Sequence, residues 1–358
     1  MTEHRNPEIR YPFDREPEPG CTRVVAPGLR WLAMPMPGSL SFINLYLIED
    51  AQGWWAVDTG LAGARTEALW QKIFATELDG KPIIGVICTH MHPDHIGQAV
   101  MLTDHWRCPL YMTAGEYYQA RAFANSNGKS GWLGQQFYSR AGMPADYLDQ
   151  LAKMWSGPKN PGMSMPAIVP GFERLREGQV LQLGGHTWQI IVGSGHSPEH
   201  ACLYCAHHKI LISGDQVLPI ITSNVSVHPN EPNANPLKDW MASHERFLRL
   251  IPNDTLVLPA HNLPFYGVQT RLRELIRHHE DRLLAIEAAC REPQIAKDLL
   301  PVLFTRTLEP GQMMMALGEA IAHIHLLMAE GRLQRSVDAQ GRYRFQTTGL
   351  SLERRAHS

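Results

Sequence analysis

The chain has 358 residues, 44% of them hydrophobic and 19% charged, with a formal net charge of −2. That length supplies one large domain with an appendage, or two domains. The near-neutral charge excludes a globally basic nucleic-acid binder. No apolar stretch approaches the roughly 20 residues of a membrane helix, so no membrane partner is expected. Residues 1–20 are polar, charged and proline-rich, without the apolar core of a secretory signal. They read as a flexible lead-in to a cytoplasmic protein. The six cysteines are scattered and do not form a disulfide framework. Cys202 and Cys205 match C-x-x-C but sit in a strand-like run, where positions i and i+3 face opposite ways. Two buried strand cysteines are expected there rather than a redox pair.

In chain order, the pattern predicts strands over Phe42–Glu49 and Trp54–Val57, then a helix over Thr66–Leu78 with Leu69, Ile73 and Leu78 on one stripe. A buried strand over 83–88 follows, then a helix from Ile96 to His105 and a short strand over Pro109–Met112. Residues 117–175 are rich in Gly, Pro, Met and aromatics, among them Met143, Tyr147, Met154, Trp155, Met163 and Met165. They read as a helical insertion, either packed on the main core or serving as a lid. Trp132, Phe137 and Tyr138 are its candidate pocket residues. Two hairpins come next, Val180–Leu183 with Thr187–Val192 around Gly184-Gly185, and Ala201–Ala206 with Lys209–Ser213 around His207-His208. A helix over Pro236–Leu250, a strand over Thr255–Leu258 and a long charged helix over Gln269–Cys290 complete this part. The tail from residue 291 has its own pattern. Helices are expected at Gln294–Phe304 and Gly311–Glu330, then a hairpin over Arg332–Phe345, which together suggest a winged-helix-like module. The sequence therefore divides as 1–20, 21–290 and 291–358.

The 83–88 strand runs into Thr89-His90-Met91-His92-Pro93-Asp94-His95. Imidazole and carboxylate together suit zinc and neighbouring first-row metals. Pro93 stops the strand and stiffens a turn, which lets His90, His92, Asp94 and His95 aim at one centre. Three later segments each place one such residue after an apolar run: His196 in Gly195-His196-Ser197, Asp215 in Ser213-Gly214-Asp215, and His261 in Pro259-Ala260-His261. Strand ends can converge on one edge of a sheet assembly, where α/β folds build their sites. Asp58 of Asp58-Thr59-Gly60, Thr89, Ser197 and His200 are candidate supports for the imidazoles. Ser223 and Asn224, shortly after Asp215, are candidate pocket contacts. His105, His278, His279, His323 and His325 have helical contexts and receive no ligand role.

With these segments in this order, the chain resembles the metallo-β-lactamase-fold hydrolase superfamily across residues 23–289. The motif H-x-H-x-D-H stands here as His90-Met91-His92-Pro93-Asp94-His95. The resemblance implies an αββα sandwich with a helical insertion and a small C-terminal winged-helix-like domain. It implies two divalent metal ions, zinc with iron or manganese as the alternatives. One would be held by His90, His92 and His196, the other by Asp94, His95 and His261, with Asp215 bridging them. An aspartate at 215 resembles glyoxalase II-like and ribonuclease-like branches rather than true β-lactamases, which carry a cysteine there. Two such ions share a water and bring its pKa toward 7, giving a hydroxide that Asp94 can orient.

Three functions follow. The first is hydrolysis of a small-molecule thioester, ester or lactone. The second is an endoribonuclease or phosphodiesterase, because the tail resembles that of an endoribonuclease branch and carries Arg332, Arg335, Arg342 and Arg344. The expected recognition helix, 311–330, has no Lys or Arg, so nucleic acid is the less favoured partner. The third is a metal-dependent sensor without turnover. Self-association into a homo-oligomer stays open.

Overall fold

A computed structural model describes residues 8–38, 40–124, 131–156, 165–308 and 310–349. Residues 1–7, Met163 and residues 350–358 lie outside that set, as do residues 125–130 and 157–164 of the expected insertion. By packing, the chain forms two compact units. The first holds residues 1–126, 159–223 and 243–272; the second holds 127–158, 224–242 and 273–358.

In chain order, β1 (Thr22–Ala26), β2 (Leu29–Pro35), β3 (Phe42–Asp50) and β4 (Gly53–Val57) precede α1 (Ala64–Thr76) and β5 (Ile83–Ile87). Next come α2 (Pro93–Ile96), α3 (Ala99–Trp106), β6 (Leu110–Thr113), α4 (Ala114–Ala124), α5 (Gly131–Arg140), α6 (Ala145–Ser156) and β7 (Glu173–Leu175). Then follow β8 (Val180–Leu183), β9 (His186–Gly193), β10 (His200–Cys205), β11 (Ile210–Gly214), α7 (Pro236–Leu250), β12 (Leu256–Pro259) and α8 (Val268–Ala289). The chain closes with a 3₁₀ turn (Ala296–Leu299), α9 (Leu300–Leu303), α10 (Pro310–Ala329), β13 (Leu333–Val337) and β14 (Tyr343–Thr347).

In the first unit, β1 to β7 form one sheet in sequential order, and the second sheet runs β12-β11-β10-β9-β8. The period-2 alternation of a strand explains how they meet. Tyr46 and Ile48 of β3 join Trp31, Val57 and Ile87 in an apolar layer shared with Trp188, Ile190, Leu203, Ile212 and Leu258 of the second sheet. Ile43, Leu45 and Leu47 of the same strand face the other way, against Trp70 and Ile73 of α1, Leu102 of α3 and Tyr117 of α4. Both faces of β3 are covered, so its sequence is apolar almost throughout. The second sheet is tied to α7 by the Ser194 N–H, which donates to Ser243 Oγ at 3.0 Å, and by Arg246, which donates to the Val192 carbonyl. Helix and two-sheet layering follow the αββα plan.

Several expectations are met locally. Gly184 and Gly185 both have positive φ, 59° and 73°, as a two-residue hairpin turn requires. Cys202 and Cys205 are buried, free and on β10. Other expectations need correction. β1, β2 and β7 precede or fall outside the predicted strands. The helix placed at 96–105 begins only at Ala99, as α3, and a separate short helix, α2, ends at Ile96 before Gly97-Gln98. The helix placed at 294–304 is a 3₁₀ turn and a single α turn instead. Pro301 lacks an N–H to continue a longer helix, and Gln294 pairs with Phe345 as an isolated bridge. Residues 8–20 of the expected flexible segment are held in place: Arg10 and Tyr266 exchange two backbone bonds, of 3.1 and 2.8 Å, and Ile9 is buried.

The 117–175 segment divides between the units. Tyr117 stacks on Phe172 at 3.9 Å, and Met165, Ile168 and Val169 pack on the first unit's core. The hairpin of α5 and α6 belongs to the second unit. There the Lys297 N–H donates to the Ala141 carbonyl at 3.0 Å, and Ile295 fills the space beside Gly142. In the same unit, β13 and β14 are joined through Asp338, whose carboxylate accepts the Gln340 and Arg342 N–H groups, both at 3.0 Å.

Gly97 fixes the seat of α2. A Cβ there would meet Ala62 N at 2.2 Å and Gly60 O at 2.4 Å, both backbone atoms that cannot swing away. Gly97→Ala should therefore cost about 1–3 kcal/mol of stability in denaturant unfolding, as overpacking does. Unchanged stability would mean that α2 is not seated this closely.

Candidate metal centre

Strand ends of both sheets deliver the site. β4 ends at Asp58, β5 at Thr89 and His90, β9 at His196, β11 at Asp215 and β12 at His261. Between His90 and His95 the chain turns because His92 is extended (φ −63°, ψ 149°) and Pro93 occupies the first helical position, where a missing N–H costs nothing. α2 then places Asp94 and His95 one after the other. Thr59 holds this turn, since its N–H and hydroxyl both donate to the His95 carbonyl, at 2.8 and 2.7 Å.

Two groups of ligand-type atoms result, each with its members within 4.8 Å of one another: His90, His92, His196 and Asp215, and Asp94, His95 and His261. Asp215 spans them. Its Oδ2 lies 3.3 Å from His196 Nε2, 3.8 Å from His90 Nε2 and 3.6 Å from His95 Nε2. Its Oδ1 lies 3.5 Å from His261 Nε2. Asp94 Oδ2 is 3.3 Å from His261 Nε2 and 3.5 Å from His95 Nε2. Ligands about 2.0–2.1 Å from one tetrahedral ion stand roughly 3.4 Å apart. These spacings therefore fit atoms that share an ion better than atoms that bond each other. Asp215 Oδ1 and His95 Nε2 are, moreover, buried with no hydrogen-bond partner. Such groups are costly to bury unless something binds them.

The outward ring nitrogens are fixed. His95 Nδ1–H donates to Asp58 Oδ2 at 2.8 Å, and His261 Nδ1–H to the Phe42 carbonyl at 3.2 Å. Thr89 Oγ1 donates to Asp58 and lies 3.1 Å from His90 Nδ1, which can donate back to it. These bonds leave Nε2 of all three rings as the inward atom. His92 is the exception and presents Nδ1, 2.9 Å from His90 Nε2. His200 is fully buried, stacks on His90 with ring centres 4.7 Å apart, and accepts the Asp215 N–H on Nε2 at 3.0 Å. Gly214 makes room for it, since a Cβ there would lie 2.5 Å from His200 Nε2. Ser197 Oγ is buried and bonds no imidazole. The sequence expectation for Ser197 is corrected accordingly: the hydroxyl lies near Glu116 and favours that carboxylate's charge.

Glu116 escaped the sequence reading. It opens α4 and carries no motif, yet it is fully buried behind the site. Oε2 accepts the Met91 N–H at 2.9 Å and Oε1 the Glu199 N–H at 2.8 Å. One carboxylate thus clamps the loop between His90 and His92 to the loop after His196. Glu199 repeats the device in reverse, accepting the Gly115 N–H at 2.7 Å. Of the expected pocket residues, Ser223 is buried in the first unit, whereas Trp132, Phe137, Tyr138 and Asn224 belong to the second. Trp132 is 59% exposed and Tyr138 buried, while Asn224 bonds Ser226 at 2.7 Å and Glu319 at 3.5 Å.

Electrostatics separate the imidazoles. Burial and neighbouring rings push His90 well down, and burial pushes His92 to about 3, so both are neutral with lone pairs available. Burial alone would also lower His95, but Asp58, Asp94 and Asp215 outweigh it and hold its pKa well up. Burial opposes the charge on Asp215, yet His261 and His95 keep its pKa well below the usual carboxylate range. The buried carboxylates thus call for positive charge at the centre of the cluster, which a proton or a cation can supply.

Residues 38–261 match the model of the metallo-beta-lactamase superfamily, and residues 283–348 match a metallo-beta-lactamase-like C-terminal domain. A beta-lactamase domain protein from Burkholderia ambifaria is 40% identical, with a TM-score of 0.87 over 95% of this chain and 98% of that one. A metallo-beta-lactamase family protein from Thermus thermophilus is 25% identical, with a TM-score of 0.74 over 90% and 100%. The probable metallo-hydrolase YqjP of Bacillus subtilis (strain 168) is 22% identical over 84% of this chain and 92% of its own.

The Glu116 clamp predicts a graded loss. Glu116→Ala frees both loops and should weaken metal affinity about 10–100-fold, as loss of a ligand's support does. Glu116→Gln keeps one acceptor oxygen and should lose less. Metal titration of the two variants checks the order; equal affinity in Glu116→Ala and the parent chain would remove Glu116 from the site.

Proposed function

Because the chain belongs to the metallo-beta-lactamase superfamily and is a metallo-hydrolase of that fold, we propose that it cleaves a small-molecule thioester, ester or lactone at a dinuclear centre. His90, His92 and His196 would hold one ion, and Asp94, His95 and His261 the other, with Asp215 between them. Divalent ions there, zinc with iron or manganese as alternatives, would supply the Lewis acidity to make water nucleophilic near neutral pH and to polarise a carbonyl. The observation that carries the reading is Asp215 itself: its two oxygens face both ligand groups. A carboxylate at this position, rather than a thiolate, sets the chain apart from true β-lactamases.

The chain's residues then have distinct tasks. Asp94 uses Oδ2 toward His95 and His261, while Oδ1 makes no bond to a described residue. We assign Oδ1 to orient the attacking water and take its proton. Asp58, Thr89 and the Phe42 carbonyl keep the rings from rotating, so the site is arranged before substrate arrives. His200 and Glu116 act through the backbone of Asp215, Met91 and Glu199 and touch no substrate.

The C-terminal segment reads as a winged-helix-like module that packs rather than reads nucleic acid. Its arginines are already engaged. Arg332 pairs with Glu287 and Glu330, Arg342 and Arg344 share Asp338, and Arg335 lies over Tyr343 at 4.3 Å. Residues 316–324 of α10 are almost wholly buried. This disfavours the nuclease reading, and a full ligand set without chemistry to serve disfavours the sensor.

The test is a panel of thioester, ester, lactone, β-lactam and phosphodiester substrates with metal content measured alongside. Thioester, ester or lactone turnover is expected. His92→Ala and Asp215→Ala should each abolish turnover and lower bound metal. Cleavage confined to the phosphodiester, or near-normal turnover in either variant, contradicts the proposal.

A further inference from the structure

Three histidines outside the active site stand together on the first unit. His186 opens β9, and His207 and His208 form the turn between β10 and β11. β9 and β10 are antiparallel neighbours, with Gln189 opposite Tyr204, so the start of one lies beside the end of the other. The same pairing puts His196 and His200 at the far end of these strands, about 25 Å of extended chain away. The rings of His186 and His207 stack at 4.8 Å, and His208 meets His186 edge-on at 4.1 Å. One nitrogen from each lies within 4.8 Å of the others.

Among the described residues, no protein group hydrogen-bonds any of these three rings. That sets them apart from His90, His95, His200 and His261, each of which bonds a protein group through at least one ring nitrogen. His208 Nε2 is buried from solvent as well and has no hydrogen-bond partner. Nearby charges are already paired: Lys209 with Asp254, and Glu49 with Lys81. His186 and His208 also line a small cavity with Gly28, Ile48 and Trp188, which leaves room beside the rings.

We propose that His186, His207 and His208 form a second metal site, independent of the active site, for a first-row divalent cation. Three imidazoles and a water are a recurring ligand set for zinc, and imidazole also suits nickel and copper. The ligand nitrogens need to close to roughly 3.4 Å, a movement within reach of ring rotation on a surface turn. A bound ion would fasten the start of β9 to the β10–β11 turn. No acidic or thiolate ligand stands in the group, so hard cations such as calcium or magnesium would not be held.

The probe is Ni²⁺, titrated by calorimetry and native mass spectrometry into the full chain after two equivalents of Zn²⁺ have been loaded into its active site and unbound Zn²⁺ removed. The parent chain should bind one more Ni²⁺ than His207→Ala. His186→Ala and His208→Ala should each weaken that site by at least about tenfold, with zinc content and hydrolysis unchanged. Equal nickel stoichiometry in the parent and His207→Ala, or a loss below tenfold in both other variants, would overturn the proposal. Neither outcome bears on the active-site reading, which rests on different residues.

Discussion

Asp58 Oδ1 accepts the Thr89 N–H at 2.8 Å, and Oδ2 accepts the Thr89 hydroxyl at 2.9 Å and His95 Nδ1–H at 2.8 Å. Through these bonds one buried carboxylate ties the ends of β4 and β5 to α2. A buried charge is tolerated when it is this fully bonded. Asp58 reaches the geometry from a left-handed backbone position, φ 61°, which asparagine and aspartate accept more readily than other non-glycine residues. The strain is held because β4, β5 and the Thr59–His95 bonds over-determine the turn. Released, His95 could rotate, and the cluster around Asp94 and Asp215 would lose the ring that joins it to the sheet.

From that tie outward, the site is a problem of charge in a dry place. Carboxylates and imidazoles converge from five strand ends, and His95 Nε2 and Asp215 Oδ1 are buried there without a hydrogen-bond partner among the described residues. Helical and sheet packing carries the cost of assembling them, and a cation at the centre would return part of it as binding free energy that favours the folded state. The supporting residues divide this work. Thr89, the Phe42 carbonyl and Asp58 orient rings, whereas Glu116 and His200 hold backbone. This is why the site depends on residues such as Glu116 that never face the centre.

Much of this was legible in the sequence where local pattern and chemistry coincide. β4, β5 and β8 to β12 announce themselves as apolar runs ended by Gly, Asp or His, and the seven ligand-type residues lie at those ends. β2 was not legible: it is buried on both faces, so no alternation marks it, and the Met-Pro-Met-Pro run at its end reads as loop. β7 is three residues long and begins with Glu-Arg. Glu116 carries no local signal, because its role arises from two amide groups, one of them 83 residues away. The α5–α6 hairpin was visible as helical but not its companions, since its packing on Ile295 and Lys297 is a long-range fact. The wing arginines looked like a basic patch until their acidic neighbours were seen beside them.

The proposed dinuclear centre requires Asp215 to join two metal positions. Diffraction from crystals of the zinc-loaded protein, recorded on both sides of the zinc absorption edge, addresses it directly. Two anomalous peaks are expected about 3.5–4 Å apart, with an Asp215 oxygen between them. A single peak on His90, His92 and His196, with none beside Asp94 and His261, would contradict it.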